Sequence, residues 1–395
     1  MAALCLVGCK DEESGDKNPT PIKKDFACLA IGEETEANML KAVGEYKRHW
    51  REGVRLKIGF MNGTETQKKI FRSCCLEWLA YAYLDFDFVE PSEATIRVSF
   101  EDEQEELAGA AYVGTLHGQY KDVSEPTVWI YLNNIDPLCN HYVVYKDGVI
   151  IKENEYWRYP FISTVRHEIG HVLGLHHEHQ SQARPFEFID DYEEKHDYKK
   201  VYELGFKYTE WDPESIMHYD IDPSMLKEGD VTVIRSFNLS KTDKAFMREW
   251  YPFPNDGVRL FEFVNNGIRH YNTTFEKESH DQLTSCQGVI MKDPLVGTDP
   301  IKVFTKKSDG KTKIYAIGDQ FIDNKDEWWE GTPIGYAYKT QEEGSVPVWQ
   351  LYNEANHDYM LKVAGPKDES EPDVDGYKVL GVAFYAFPNY TRTSY

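Results

Sequence analysis

The sequence predicts two domains: an α+β domain built from a mixed, twisted sheet with long helices, followed by an all-β domain of three-fold repeats. Three observations carry this. Strand-like and helix-like hydrophobic periods alternate between about residue 50 and residue 250. A cluster of histidines and glutamates, "RHEIGHVLGLHHEH" at 166 to 179, lies inside a helical pattern. Beyond residue 255 an aromatic pattern recurs three times at a spacing of about 44 residues.

The 395 residues are too many for one ordinary core, so two domains are expected. A composition of 41% hydrophobic and 28% charged residues is that of a soluble globular chain. The formal net charge of -23 argues against nucleic acid, whose phosphates would be repelled, and favours cationic proteins or peptides as partners. No stretch approaches the roughly 18 apolar residues of a membrane span.

Residues 1–9 read as the remnant of a lipoprotein signal. "MAALCLVGCKDEE" is a short apolar run ending in Leu6-Val7-Gly8-Cys9 before a polar tail, and it resembles a bacterial lipobox, whose cysteine is lipidated. The alternative is a disordered tail with a stray cysteine. Membrane contact is expected only through a lipidated Cys9, which would make the chain a secreted or outer-surface lipoprotein of a bacterium. The remaining cysteines, Cys28, Cys74, Cys75, Cys139 and Cys286, are odd in number and irregularly spaced, so no disulfide framework is expected.

Residues 10–45 read as a linker or pro-segment. "VRLKIGF" alternates at Val54, Leu56, Ile58 and Phe60, as a half-buried strand does. "TETQKKIFRSCCLEWLAYAYL" opens with Thr64 and Gln67 spaced as a capping box and continues at helical spacing through Ile70, Phe71, Cys74, Trp78, Leu79 and Ala82. "TIRVSF" and "TVWIYL" are two further strand candidates.

On a helix, His167 and His171 lie four residues apart on one face and can share a metal ion. Gly174 accepts a left-handed backbone, so the helix can stop there and the chain can swing His177 towards the same ion. Three imidazoles leave a coordination position open, the arrangement of catalytic rather than structural zinc, and one catalytic Zn²⁺ is expected. Glu168, beside the first ligand, is placed to take a proton from water. His176 and His179 fall outside the spacing and are read as lying in solvent or just behind the ligands.

The pattern H-E-x-x-H-x-x-G-x-x-H is the metzincin signature. With "SIMHYD" at 215 to 220, "HWREGVRLKIGF" near residue 50, "AYVGT" at 111 to 115 and "LSKTDKAFMREWYP" at 239 to 252, it resembles the astacin family of zinc peptidases over residues 46–253. The resemblance implies a zinc endopeptidase acting on protein or peptide substrates. It implies that Met217 forms an apolar floor beneath the metal and that Tyr219 lies near the zinc and stabilises the oxyanion. It further implies that Glu178 pairs with an N-terminus freed by activation, and that substrate adds itself to the strand edge near Ala111–Thr115. The family's usual disulfide cysteines are not matched. For latency, either Glu33 of Ile31-Gly32-Glu33 or Cys28 is a candidate plug for the metal.

After "YPFPNDG", residues 256–395 carry the repeat. Each copy opens on an apolar-aromatic pair (Leu260-Phe261, Val303-Phe304, Val348-Trp349), continues to a tyrosine (Tyr271, Tyr315, Tyr359) and closes on a glycine-led strand at 288, 335 and 381. A closed three-fold structure such as a β-trefoil is expected, able to fold on its own. Trp328, Trp329 and Tyr352 either stack on a glycan or fill the repeat cores. A catalytically silent adhesin and a metzincin with a narrow non-protein amide substrate are the competing functional readings.

Overall fold

The structure, a computed structural model, describes residues 27–31, 43–101, 107–131, 145–146, 149–150, 158–193, 198, 206–233, 236–265, 267–275 and 283–391. Cys5, Cys9, Gly32, Glu33 and Cys139 lie outside these residues. By contact density the chain divides into two compact units, one of Met1–Trp50, Lys57–Phe71 and Phe88–Phe246, the other of Arg51–Leu56, Arg72–Asp87 and Met247–Tyr395. No helix among the described residues is long and apolar enough to cross a membrane.

The first half begins with β1 (Ala27–Ile31), β2 (Val43–Glu45), β3 (Arg55–Phe60) and α1 (Glu65–Leu79). It continues with β4 (Asp85–Phe88), β5 (Ile96–Glu101), β6 (Leu107–Tyr112), β7 (Val128–Tyr131), β8 (Tyr145–Lys146), β9 (Val149–Ile150) and α2 (Arg158–Val172). A single turn, α3 (Asp190–Glu193), then β10 (Phe206–Tyr208) and α4 (Lys241–Trp250) complete it. Six strands form one sheet in the order β1-β6-β7-β5-β3-β4, while β10 pairs with β2 and β8 with β9. β3, β5 and β7 run parallel, and β6 returns antiparallel to β7.

The sequence-level signals for these elements have visible causes. α1 starts with the expected capping box: the Thr64 amide donates to Gln67 Oε1 at 2.7 Å, and the Gln67 amide to Thr64 Oγ1 at 3.3 Å. Phe100 on β5 meets Phe71 of α1 at 6.5 Å and Phe161 of α2 at 6.1 Å between ring centroids, so one side chain touches both helices. β6 reads "LAGAAY", and its small residues let α2 come close to the sheet.

The second half is all β: β11 (Val258–Asn265), β12 (Ile268–Asn272), β13 (Leu283–Ile290), β14 (Thr298–Pro300), β15 (Lys302–Lys306), β16 (Lys313–Ala316), β17 (Trp328–Glu330), β18 (Tyr336–Tyr338), β19 (Val346–Asn353), β20 (Asp358–Val363) and β21 (Lys378–Ala386). Three antiparallel hairpins recur, β11/β12, β15/β16 and β19/β20. With β13, β18 and β21 they fill one core, to which Leu260, Ile301, Val303 and Val348, Tyr271, Tyr315 and Leu361, and Ile290, Ala337 and Ala383 contribute. The tyrosines also stitch copies together, since the Tyr271 amide donates to the Tyr315 hydroxyl at 3.1 Å and the Leu361 amide to the Tyr271 hydroxyl at 2.8 Å. In the third copy the core position belongs to Leu361 and not to Tyr359, which lies half-exposed two residues nearer the hairpin turn.

Buried Arg259 on β11 ties this unit to its front segments. Its guanidinium donates to the carbonyls of Leu79 at 3.2 Å, Ala82 at 3.3 Å and Leu84, and to that of Asn389 at 2.9 Å. It also packs over Tyr83 and Phe253. Burial removes the guanidinium from water, so these carbonyls, the Asn389 side-chain oxygen at 3.3 Å and the two rings take the place of its hydration.

Candidate metal centre

α2 carries His167, Glu168 and His171 on its last two turns. The helix ends in a Schellman motif: the Leu175 amide donates to the Gly170 carbonyl at 2.9 Å and the Gly174 amide to the His171 carbonyl at 2.9 Å. Gly174 takes φ +93°, the left-handed conformation expected of it, and the reversal brings His177 back to the helix face.

The structure brings His167, His171 and His177 together. One candidate ligand atom from each lies within 4.8 Å of the others, and all three residues are buried. The Nε2 atoms of His171 and His177 are 3.0 Å apart. His167 Nδ1 is 2.8 Å from the Ile216 carbonyl and His171 Nδ1 is 2.8 Å from the Leu175 carbonyl. A carbonyl only accepts, so each Nδ1 carries the proton and each Nε2 offers its lone pair for ligation. Burial pushes His171 down to about 3 and His177 well below the usual histidine value, with the neighbouring histidines adding to the shift of His177. Three converging buried imidazoles, two of them with rings oriented by backbone carbonyls, fit the donor set of a Zn²⁺ site.

Glu168 is fully buried and turns towards β6. There Gly109 leaves room for it: a Cβ at that position would stand 2.2 Å from Glu168 Oε1 and 2.7 Å from its Cδ. Tyr219 is buried with its ring centroid 4.4 Å from that of His177 and 6.3 Å from that of His167.

Of the two places open to His176 and His179 on sequence grounds, solvent is excluded: His176 is 5% exposed and His179 0%. His179 packs against the rings of His177 at 5.2 Å and Tyr219 at 4.3 Å, and so backs the cluster on the side of Tyr219.

Beside the cluster lies a small cavity, about 20 Å³, lined by His176, Glu178, Met217 and Asp243 among others. Such a volume holds about one water. Met217 is buried, and its carbonyl accepts from the Glu178 amide at 2.9 Å. Glu178 Oε1 accepts from the Asp212 amide at 2.9 Å, yet burial raises its carboxyl well above the ordinary range.

A polar network missed from the sequence holds the Met217–Tyr219 segment. Asp243 accepts from Ser215 Oγ at 2.7 Å and from the amides of Ile216 at 2.9 Å and Ser240 at 2.8 Å. Ser240 Oγ in turn accepts from the Asp243 amide at 2.9 Å, so the start of α4 and the segment that carries Tyr219 are fixed by one carboxylate. The signal was present as S-x-x-D at the head of "SKTDKAF".

Several solved structures superpose on the chain. A structure of myroilysin aligns at 24% identity with a TM-score of 0.43, covering 54% of this chain and 99% of that one. A second crystal structure of myroilysin aligns at 22% and 0.38, covering 62% and 100%. High choriolytic enzyme 1, a hatching-enzyme zinc-protease of the medaka fish Oryzias latipes, aligns at 13% and 0.35, covering 55% and 100%. No family model and no curated protein matches the sequence. With TM-scores below 0.5, function is read from the site itself.

The outer edge of β6 is occupied in this structure. β1 runs parallel to it, with Ala30 opposite Ala111 and Ile31 opposite Tyr112. Of Cys28, only its place on β1, opposite Gly109, is described.

Proposed function

We propose that the chain is a zinc-dependent endopeptidase of astacin type, exported from a bacterial cell in secreted or lipid-anchored form, with a C-terminal module of β-trefoil kind. The observation that carries the reading is the convergence of His167, His171 and His177 with Glu168 on the same helix. A Zn²⁺ held by these histidines would act as a Lewis acid, lowering the pKa of water and polarising a carbonyl.

The remaining chemistry belongs to the chain. Glu168, buried against Gly109, takes the proton of the attacking water and returns it to the leaving amine. Tyr219 offers its hydroxyl to the oxygen that gains charge as the carbonyl becomes tetrahedral. Asp243 holds the Ser215–Ile216 backbone and so keeps Tyr219 in register with His177. The edge strand expected at Ala111–Thr115 ends at Tyr112, with a 3-10 turn from Gly114 onward, so substrate backbone hydrogen-bonds to β6 at Ala111–Tyr112 in place of β1, and residues 27–31 leave before catalysis. The cavity beside Glu178 receives the ammonium of the N-terminus that this release creates.

Mass spectrometry of a proteome-derived peptide library incubated with the intact chain and with Glu168→Ala tests the reading. Cleavage by the first and none by the second, at equal zinc content, is expected. No cleavage by either favours the silent adhesin, and turnover of a non-protein amide alone favours the narrow amidase.

A further inference from the structure

The third repeat has released its tyrosine from the core. Leu361 fills the position that Tyr271 and Tyr315 hold in the other two copies, which frees Tyr359 to join a different group of rings. Tyr359 packs against Tyr352 with centroids 4.6 Å apart and meets the edge of Trp328 at 6.2 Å. All three rings are half-exposed, so together they present one continuous aromatic face.

That face is held in shape. The Tyr352 hydroxyl is 2.8 Å from His357 Nδ1, and His357 adopts φ +56°, a left-handed conformation unusual for a residue other than glycine. The turn that imposes it is pinned by Asn353 Oδ1, which accepts from the Ala355 amide at 2.9 Å, and by Asn356 Oδ1, which accepts from the Asp358 amide at 3.2 Å. Lys306 Nζ lies 5.9 Å from the Trp328 ring, and the Asp323 carboxylate is close enough to act on Tyr359. Apolar ring faces bordered by hydroxyl, imidazole, ammonium and carboxylate suit a ligand that is itself flat and apolar on one face and ringed by hydroxyls, which is the character of a pyranose. The net charge of -23 disfavours polyanionic glycans.

We propose that Trp328, Tyr352 and Tyr359 form a binding face for neutral saccharides, on which sugar rings stack. Trp329 is no part of it: successive strand residues point to opposite faces, and Trp329 follows Trp328 on β17. The proposal stands independently of the peptidase reading, because binding needs neither the histidines nor Glu168.

Native affinity electrophoresis of the full chain in gels containing a mixed-linkage β-glucan, a galactomannan, an arabinogalactan or, for comparison, polygalacturonate tests it. Retardation by at least one neutral polymer is expected. Trp328→Ala and Tyr352→Ala should each weaken it about 5- to 10-fold, while Trp329→Ala stays within about 2-fold. Should Trp328→Ala lower the melting temperature, Tyr352→Ala, at the more open end of the face, becomes the deciding variant. Migration unchanged by every neutral polymer overturns the proposal, as does retardation by polygalacturonate alone, or equal weakening by Trp329→Ala.

Discussion

Glu168 and Gly109 compete for one volume. The carboxylate at the end of α2 fills the place where a side chain on β6 would start, with Oε1 2.2 Å from the position of a Cβ. Gly109→Ala is therefore expected to push the carboxylate aside without touching a histidine, and displacement of a general base by about 1 Å costs on the order of 100-fold. Steady-state kinetics should show kcat reduced by about that factor, with zinc content by elemental analysis unchanged. Loss of zinc would show that the strand and not the carboxylate had moved.

Metal removal gives the second prediction. The purified chain should carry about one equivalent of zinc, lose activity to a chelator and regain it on adding zinc back. Because the ion binds only the folded arrangement of His167, His171 and His177, chelation should also lower the melting temperature. Full activity in a metal-free sample would exclude these histidines as the reaction centre.

Tyr219→Phe isolates the hydroxyl. The ring keeps its packing against His177 and His179, so the fold and the zinc should remain. A fall in kcat of about 10- to 1000-fold with little change in KM is expected, since the lost hydrogen bond forms mainly in the transition state. Unaltered kcat would remove Tyr219 from the chemistry.

His117 makes the fold sensitive to acid. It is fully buried, and burial pushes it down to about 3, with Arg97 and His171 adding to the shift. Between that value and the ordinary histidine pKa near 6.5, the unfolded chain binds a proton that the native chain refuses. Unfolding is thus favoured as pH falls through this window, by up to about 1.4 kcal/mol per pH unit from this one group. In urea melts between pH 4 and 6.5, His117→Leu should flatten the pH slope relative to the parent chain. An unchanged slope would assign the acid sensitivity elsewhere.

Covering of the β6 edge by β1 predicts latency. A chain beginning after residue 42, which keeps the β2–β10 pair, should cleave peptides with higher kcat/KM than the full chain. Equal rates would mean that β1 is no barrier to substrate.

Much of the site was legible because its signals are local. The ligand spacing of His167, His171 and His177 and the glycine that ends α2 are fixed by helix geometry within eleven residues of sequence. The capping box of α1 and the strand at Arg55–Phe60 follow from equally short-range rules. Gly109 was invisible, because a glycine in a strand announces nothing until the residue pressing on it is known. The burial of His179 depends on the returning segments around Phe188, Tyr198 and Tyr219, and His176 lines a cavity shared with Met217, Asp243 and Phe246, all outside the motif. Tyr359 follows Val348 at the same spacing as Tyr271 follows Leu260, yet Leu361 and not Tyr359 lies in the core, because which strand residue turns inward depends on the length of the hairpin turn.

Arg259 bears on how such a protein can be taken apart or inherited. Its acceptors at Leu79, Ala82 and Leu84 lie some 175 to 180 positions upstream, on the far side of "YPFPNDG". A recombination junction placed in that stretch would strand a buried cation without three of its carbonyls, leaving it Asn389 alone. The tail is consequently no interchangeable cassette: grafted behind a foreign catalytic half, it would need the segment after α1 to travel with it, or a neutral residue in place of the arginine.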